Sequence, residues 1–315
     1  MSHVSRETKA AMEADLSTRL GPLTLRNPVM TASGTFGYGE ELASFVDLSA
    51  LGALVGKTVT RHPRAGNAPP RTCETAAGML NAIGLQNVGI ERFIAEKLPY
   101  LRQFDVPLIV NVAGETVEDF GFLARALGEQ PGVAALELNI SCPNVAHGLD
   151  FATDPVLAEQ VVAHARQATH LPIIAKLSPN VTDVSLIARA AEAGGAHALA
   201  LVNTFVGMAI DIRTRRPRIS NITGGLSGPA IKPLALRAVY RCSQAVIIPL
   251  IGIGGIMSGE DAIEFFLAGA SAVQVGTATF AQPGAAQRVI EEIESYMKVH
   301  DVAAVSDLVG GMIVD

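Results

Sequence analysis

The sequence has little cysteine and no long apolar run. Its three cysteines, Cys73, Cys142 and Cys242, are too few for a disulfide framework or a four-thiolate cluster, which indicates a reducing, intracellular setting. The most apolar stretch, residues 245–257, is interrupted by Pro249 and by glycines. It is also shorter than the roughly 20 apolar residues that a membrane-spanning helix needs. These absences predict a soluble, cytoplasmic protein.

Charged residues are scarce as well. Asp, Glu, Lys and Arg make up 17% of the chain, against about 25% in an average globular domain, while 49% of the residues are hydrophobic. This apolar content excludes intrinsic disorder. The net charge of -6 argues against a nucleic-acid-binding protein.

Eight short apolar runs have the pattern of buried parallel strands. Their hydrophobicity is continuous rather than alternating, as expected for strands that are covered on both faces. Two intervening segments carry helix signals: 183–194 has apolar residues at helical spacing, and 258–269 has Ser258 as N-cap and Gly269 as C-cap. The runs are 27–34, 53–60, 107–114, 135–142, 172–179, 198–205, 249–256 and 272–279.

The alternation of eight strands with helices predicts an α/β fold, a closed (β/α)8 TIM barrel formed by one domain over residues 17–315. An open, doubly wound sheet is the alternative, and the lack of a strong G-x-G-x-x-G motif after the first strand disfavours it. Residues 1–16 are expected to form a polar N-terminal extension. Residues 17–27 predict a β-hairpin that turns at Gly21-Pro22 and plugs the barrel floor. Long gaps after the second and sixth strands predict inserted loops rather than extra domains.

Polar residues stand at the carboxyl ends of the predicted strands, which converge on one mouth in a barrel. They form a donor-rich surface suited to a flat, polar, anionic ligand, although each residue alone could simply cap its strand. Two buried lysine ammonium groups would be costly unless an anion compensates them. The set has no Asp, Glu or His, which disfavours a paired-carboxylate hydrolase and a zinc hydrolase. Its members are Ser33, Lys57, Thr58, Asn111, Asn139, Cys142, Lys176, Asn203, Thr204, Gly254, Gly255, Gly276 and Thr277.

The last two strands end in glycine-rich turns, 252–256 and 275–278. Bare backbone N–H groups at such turns hold phosphate in many barrels, although the glycines could also merely relieve crowding. Cys142 follows the fourth strand, so its thiol could serve as a nucleophile or a proton acceptor. Cys73 and Cys242 are expected to be buried apolar residues.

Seven arginines lie in the two predicted inserted loops. They provide either solubility or a positive rim that steers an anion or a partner, and the sequence leaves both open. These residues are Arg61, Arg64, Arg71, Arg213, Arg215, Arg216 and Arg218.

Eight motifs that follow one another between about residues 33 and 279 carry a family resemblance. They are GKTVT (56–60), NAIGLQN (81–87), LNISCPN (138–144), AKLSPN (175–180), VNT (202–204), GGLSGPAIKP (224–233), GIGGI (252–256) and VGTA (275–278). Together they resemble class 1 dihydroorotate dehydrogenase. Segment 60–87 is most similar to subclass 1B, the NAD+-linked catalytic subunit.

The resemblance implies that the chain oxidises (S)-dihydroorotate to orotate in pyrimidine (UMP) biosynthesis. One FMN per chain would accept hydride from substrate C6 at its N5, while Cys142 acts as the base that removes the C5 proton. FMN-binding residues implied by the family are Ser33, Lys57, Thr58, Asn111, Asn139, Lys176, Val202, Gly228, Gly254, Gly255, Gly276 and Thr277. Substrate-binding residues would be Lys57, Asn81, Ala82, Ile83, Gly84, Leu85, Asn139, Asn144, Asn203 and Thr204.

The resemblance also implies partners. A homodimeric core would pair with an electron-transfer subunit that carries FAD and a [2Fe-2S] cluster and reduces NAD+, giving a heterotetramer. No metal is expected on this chain, and no nucleic acid or membrane is expected as a partner. Three scattered cysteines could not hold that cluster in this chain. The alternatives are a dihydropyrimidine dehydrogenase-like flavin subunit, a fumarate-dependent class 1A enzyme, and a non-catalytic phosphate-binding scaffold.

Overall fold

A computed structural model describes residues 14–141 and 151–314. The strands are β1 (Thr18–Leu20), β2 (Leu23–Leu25), β3 (Val29–Thr31), β4 (Leu54–Val55), β5 (Thr72–Thr75), β6 (Gly78–Asn81), β7 (Leu108–Val112), β8 (Val133–Asn139), β9 (Ile173–Lys176), β10 (Ala198–Leu201), β11 (Phe205–Met208), β12 (Ile210–Asp211), β13 (Arg216–Pro217), β14 (Thr223–Ser227), β15 (Leu250–Ile253) and β16 (Ala272–Val275).

The helices are α1 (Gly89–Arg92), α2 (Leu98–Leu101), α3 (Val117–Gly128), α4 (Pro155–Ala168), α5 (Val184–Ala193), α6 (Lys232–Ser243), α7 (Gly259–Leu267), α8 (Ala278–Ala281) and α9 (Ala285–Val299). A π-helical segment, Phe93–Lys97, joins α1 to α2. Short 3-10 helices occupy Leu48–Ala50, Pro229–Ile231 and Val305–Leu308. None of the helices in the described ranges is both long enough and apolar enough to cross a bilayer.

Eight parallel strands form the barrel, in the order β3-β16-β15-β10-β9-β8-β7-β4. A parallel bridge between Met30 and Ala53 joins the two ends of this order, so the sheet closes on itself. Each predicted apolar run overlaps one of these strands; β8 begins two residues before its run, and the other seven strands lie within theirs. The predicted (β/α)8 barrel is therefore confirmed, and the open sheet is wrong.

The β1–β2 hairpin lies under the barrel, as predicted. Leu20 and Leu25 are almost fully buried and belong to the same apolar cluster as the inward-facing residues of the barrel strands, such as Ile109 and Ile251. Because these leucines fill the lower end of the barrel, polar groups can gather only at the opposite end.

Capping residues delimit the two helices that carry sequence signals. Asp183 accepts a hydrogen bond from the Ser185 N–H at the start of α5. Ser258 and Asp261 form a reciprocal capping box at the start of α7. The predicted C-cap of α7 is one residue off: Ala268 is the cap, and Gly269 follows with φ 112°. Glycine suits that position because L side chains rarely adopt such a φ.

The two long insertions are present, and they fold together rather than separately. Strands β5 and β6 from the first insertion pair with β14 and β11 from the second in an antiparallel sheet of order β11-β14-β6-β5. Gly225 lies opposite Asn81, and a Cβ on Gly225 would overlap the Thr204 side chain. Close packing of this sheet, referred to below as the roof sheet, therefore explains glycine at that position.

The hairpin leads to a stability prediction. Replacing Leu25 with Ala should lower the free energy of unfolding by about 2–5 kcal/mol, because it leaves a cavity in the barrel interior. Urea unfolding of the purified chain measures the difference. Thr24→Ala is the matched control, since Thr24 is exposed on the same strand. Equal unfolding midpoints for the two variants would contradict the role of the hairpin as a plug.

Candidate active site

A cavity of about 750 Å³ opens at the carboxyl ends of the barrel strands, beneath the roof sheet. Its floor includes Ser33, Asn139 and Lys176, which follow or end β3, β8 and β9, whereas Asn81 and Gly225 come from the roof sheet. The volume lies in the usual range for a ligand site, about 300–1,000 Å³. Barrel and insertions together therefore enclose this cavity.

The cavity brings together most of the residues that the sequence singles out. Asn111 lies elsewhere: it is fully buried in the barrel and does not line the cavity. Cys142 and Asn144 lie outside the described residues. The predicted residues at the cavity wall are Ser33, Lys57, Thr58, Asn81, Ala82, Ile83, Gly84, Leu85, Asn139, Lys176, Val202, Asn203, Thr204, Gly228, Gly254, Gly255, Gly276 and Thr277.

Lys176 is compensated from within the protein. Its Nζ donates to Ser33 Oγ at 3.0 Å and lies 3.7 Å from Oε1 of Glu137, a carboxylate with no solvent exposure. Glu137 is therefore the anion that compensates the buried Lys176, so this lysine does not require an anionic ligand for that purpose. Ser33 and Glu137 together hold its ammonium group in place.

Lys57 differs from Lys176 in this respect. Its ammonium group has no hydrogen bond or ion pair to any residue in the described ranges, and it lines the cavity. Burial lowers the pKa of Lys57, and the positive charge of Arg71 lowers it further. An anionic group in the cavity would stabilise the charged form of Lys57 and so oppose both causes of its lowered pKa. Lys57 is therefore the cation best placed to attract such a group.

Hydrogen bonds orient the carboxamides beside the floor. Ser141 Oγ donates to Asn139 Oδ1 at 2.6 Å and accepts a short hydrogen bond from Asn203 Nδ2. The Asn203 oxygen accepts from the Thr204 N–H at 2.8 Å. Because Asn139 Oδ1 already accepts the hydrogen bond from Ser141, the Asn139 NH2 group is the part of this side chain that is available as a donor. These contacts give the wall a defined pattern of donors and acceptors.

Glycines of two barrel turns and the roof-sheet exit form a cradle. Gly254, Gly255 and Gly228 have positive φ values of 129°, 77° and 93°. A Cβ on Gly255 would lie 2.7 Å from the Lys232 Cβ and 3.0 Å from the Gly228 carbonyl oxygen. Thr277 Oγ1 donates to Ser227 Oγ at 2.8 Å, which ties the roof sheet to this cradle. These contacts are with protein atoms, so glycine at these turns relieves crowding, and a phosphate site here stays a prediction.

Asn180 connects the roof sheet to the barrel. Its Nδ2 donates to the Thr204 carbonyl oxygen at 3.0 Å, and its Oδ1 accepts from the Val206 N–H at 2.9 Å. In the roof sheet itself, Asn81 Nδ2 donates to the Gly225 carbonyl oxygen at 3.2 Å. The residues above the cavity are thus held to the strand ends below.

The arginines of the insertions fall into two groups, apart from Arg71, which donates a hydrogen bond to Gln86 Oε1 at 2.6 Å. Arg61 and Arg64 pair with Asp119 and Glu115, at 3.4 Å and 2.7 Å, and Arg64 also lines the cavity. The arginines at 213, 215, 216 and 218 are exposed on the second insertion. A steering role for either group stays a prediction.

The other cysteines differ in burial. Cys242 is buried in α6 as predicted, and burial raises the pKa of its thiol to about 12. Cys73 lies on β5 and is only partly buried, because β5 is an edge strand of the roof sheet. No group of three or more His, Cys, Asp or Glu side chains suited to a metal ion occurs within residues 14–141 or 151–314.

Comparison with known proteins identifies the family. Residues 15–297 match the family model described as dihydroorotate dehydrogenase. This chain belongs to the dihydroorotate dehydrogenase family. A relative from Pelobacter propionicus is 59% identical over 302 residues, which covers 96% of this chain and 99% of the relative. Relatives from Geobacter sp. and Trichlorobacter lovleyi are each 56% identical, over 95% and 96% of this chain and 98% and 99% of their own. All three are named dihydroorotate dehydrogenase B (NAD(+)), catalytic subunit.

Sequence reasoning missed Glu137, Ser141 and Asn180. Glu137 stands two residues before Asn139 on β8, and alternate residues of a strand share a face. That spacing could have placed Glu137 inside the barrel. Ser141 and Asn180 act through contacts between different strand ends, for which one sequence carries no local signal.

The environment of Lys57 predicts a titration change. Arg71→Gln should raise the pKa of Lys57 towards its ordinary value, because it removes the nearby positive charge but leaves the burial unchanged. NMR of the chain with 13C-methylated lysines follows the titration. Arg216→Gln, an exposed arginine of the second insertion, should leave it unchanged. The same Lys57 titration in wild type and Arg71→Gln would rule out this electrostatic coupling.

Proposed function

We propose that this protein oxidises (S)-dihydroorotate to orotate in pyrimidine biosynthesis, as the catalytic subunit of an NAD+-linked dihydroorotate dehydrogenase. The observation that carries the proposal is a single cavity that combines a glycine cradle with a floor of carboxamides and lysines. Membership of the family and the shared name of the relatives support the same reaction.

FMN fits the residues that line this cavity. The cradle at Gly228, Gly254 and Gly255 lines the cavity with backbone that carries no side chain, and backbone N–H groups at such turns are common phosphate donors. Lys176 supplies a fixed positive charge beside Ser33, suited to the electron-rich edge of a reduced flavin ring. When bound, FMN would supply the hydride acceptor.

Dihydroorotate fits the remaining wall. Its carboxylate would be attracted by Lys57, which faces the cavity without a partner among the described residues. Its cyclic urea presents both donors and acceptors, which the oriented amides of Asn139 and Asn203 can meet. The backbone around Ile83–Leu85 and the Asn81 amide would complete the wall from the first insertion.

Cys142 is the proposed base. The chain reaches it directly after Ser141, which is buried and lines the cavity. Its thiolate would take the proton from substrate C5 as the hydride leaves C6, so that the C5–C6 bond becomes a double bond. A proton and a hydride are thereby removed together.

A partner subunit is the proposed route for electrons. The relatives are named as catalytic subunits of NAD+-linked enzymes, which implies a second subunit. We place FAD and a [2Fe-2S] cluster on that subunit and a homodimer of this chain at the centre of a heterotetramer. The described residues contain no cluster of cysteines for iron and sulfur.

The catalytic proposal predicts a separation of binding from turnover. Anaerobic dihydroorotate should bleach the visible flavin spectrum of the wild-type protein. Cys142→Ala should still bind FMN and orotate but lose most of its turnover near neutral pH, about 100-fold or more, because a positioned base contributes roughly 10²–10⁴-fold. Stopped-flow absorbance measures flavin reduction, and titration of the flavin spectrum measures orotate binding.

Cys242→Ala is the control, since this buried thiol lies outside the cavity. Near-normal reduction in Cys142→Ala would refute the base assignment. A spectral response to uracil rather than to orotate would favour a dihydropyrimidine dehydrogenase-like activity. A colourless protein that takes up no FMN would favour a scaffold barrel.

The partner proposal makes a prediction about acceptors. The purified chain alone should reduce NAD+ slowly, and a flavin–iron–sulfur subunit should increase that rate by at least tenfold, because hydride transfer to NAD+ needs the second flavin. Dihydroorotate-dependent NADH formation measures the rate. Rapid fumarate reduction by the chain alone, without a gain in NAD+ activity on adding the subunit, would instead indicate subclass 1A.

A further inference from the structure

Asn87 is the last residue of the NAIGLQN motif, and the chemistry described above does not use it. Its side chain is buried and makes four hydrogen bonds. Nδ2 donates to the Leu85 carbonyl oxygen at 2.7 Å and to Thr60 Oγ1 at 2.8 Å. Oδ1 accepts from the N–H groups of Gly89, at 2.8 Å, and of Thr60, at 3.2 Å. The full capacity of the carboxamide is thus used, which fixes its position.

The backbone of Asn87 is fixed as well. Asn87 and Arg64 exchange two backbone hydrogen bonds, at 3.0 Å and 3.1 Å, in an antiparallel bridge across the first insertion. Because its main chain and its side chain are both anchored, Asn87 can hold the residues that directly precede it. The carbonyl group that its Nδ2 holds belongs to Leu85.

Leu85 has an unfavourable backbone conformation. Its φ is 53°, in the left-handed region that costs free energy for any L residue with a branched side chain of this size. Gly84 before it has φ 73°, which glycine adopts freely. A leucine keeps such a φ only where its surroundings hold it there. The bond from Asn87 is the one hydrogen bond that the Leu85 backbone makes to any residue in the described ranges.

The two left-handed residues shape a turn at the cavity wall. Ile83, Gly84 and Leu85 all line the cavity, and none of their N–H groups has an acceptor within residues 14–141 or 151–314. Successive backbone N–H groups in a turn of this kind form a concave donor surface for an anion. Lys57 lines the same cavity and is unpaired over the same ranges. Turn and lysine together therefore offer an anion both backbone donors and a positive charge.

We propose that Asn87 is a positioning residue of the substrate site, which holds Leu85 in its left-handed conformation so that the N–H groups of residues 83–85 can bind the carboxylate of dihydroorotate. The proposal rests on the proposed function, in that it takes dihydroorotate as the ligand. Asn87 does not line the cavity and acts only through the turn. Without its amide, Leu85 relaxes towards a negative φ and the N–H groups no longer converge, which leaves Lys57 alone to attract the carboxylate.

Orotate binding to the full-length, FMN-loaded chain tests this role without measuring turnover. Asn87→Ala should raise the orotate dissociation constant about tenfold, because it removes the hydrogen bond that offsets the cost of a left-handed leucine. The FMN dissociation constant should change by no more than about twofold, since the turn belongs to the substrate wall. Titration of the visible flavin spectrum measures orotate binding, and flavin fluorescence of the stripped chain measures FMN binding.

Asn27→Ala is the matched control. Asn27 is also buried, and its carboxamide likewise bonds to the backbone, donating to the Ala50 carbonyl oxygen and accepting from the Val29 N–H. It precedes β3, at the end of the barrel away from the cavity. Its loss should therefore leave orotate binding unchanged.

A second background separates the proposed role from a general loss of structure. Glycine adopts a positive φ without the penalty that leucine has, so a Leu85→Gly chain no longer needs Asn87 to hold residue 85. Adding Asn87→Ala to Leu85→Gly should weaken orotate by no more than about twofold, against about tenfold in the wild-type background. Should Asn87→Ala fail to fold, Asn87→Ser takes its place, because its side chain is too short to reach the Leu85 carbonyl oxygen.

Equal weakening of orotate by Asn87→Ala in the two backgrounds, or weakening in neither, would overturn the proposal. So would a loss of FMN affinity as large as the loss of orotate affinity. A wild-type chain whose flavin spectrum does not respond to orotate would instead overturn the proposed function.

Discussion

Closure of eight parallel strands into one barrel is the constraint on which the site depends. Parallel pairing brings every carboxyl end to the same rim, so Ser33 near the start of the chain and Lys176 near its middle come within hydrogen-bond distance. Apolar side chains fill the interior of the barrel below that rim, and polar side chains occupy the levels nearest to it. The lower part of the barrel therefore contributes packing, and the upper part presents polar groups to a ligand.

The barrel could be predicted because its signals are local. Strands buried on both faces leave continuous apolar runs, the hairpin leaves a Gly-Pro turn, and α7 leaves its capping residues Ser258 and Asp261. The roof sheet could not be predicted in this way. Its strands are short, three of the four contain glycine, and their pairing joins residues as distant as Asn81 and Gly225, so no local pattern reports it.

The part of the candidate site that could be predicted consists of residues at the carboxyl ends of the barrel strands. That rule brought most of the chosen residues to one cavity, but it treated Lys57 and Lys176 as equivalent. The structure separates them, since Lys176 has a carboxylate on the neighbouring strand and Lys57 has none in the described ranges. Asn111 was assigned to the rim but lies one layer lower, bonded to Glu137. Such differences depend on cross-strand neighbours, which a sequence shows only after the register is known.

The β1–β2 hairpin closes the end of the barrel opposite the cavity with Leu20 and Leu25, so the barrel is open only at the cavity end. Whatever enters the barrel must pass the rim and leave the same way, because Leu20 and Leu25 close the far end. Retention of a bound molecule is thus a consequence of how the far end is sealed as well as of the contacts at the rim.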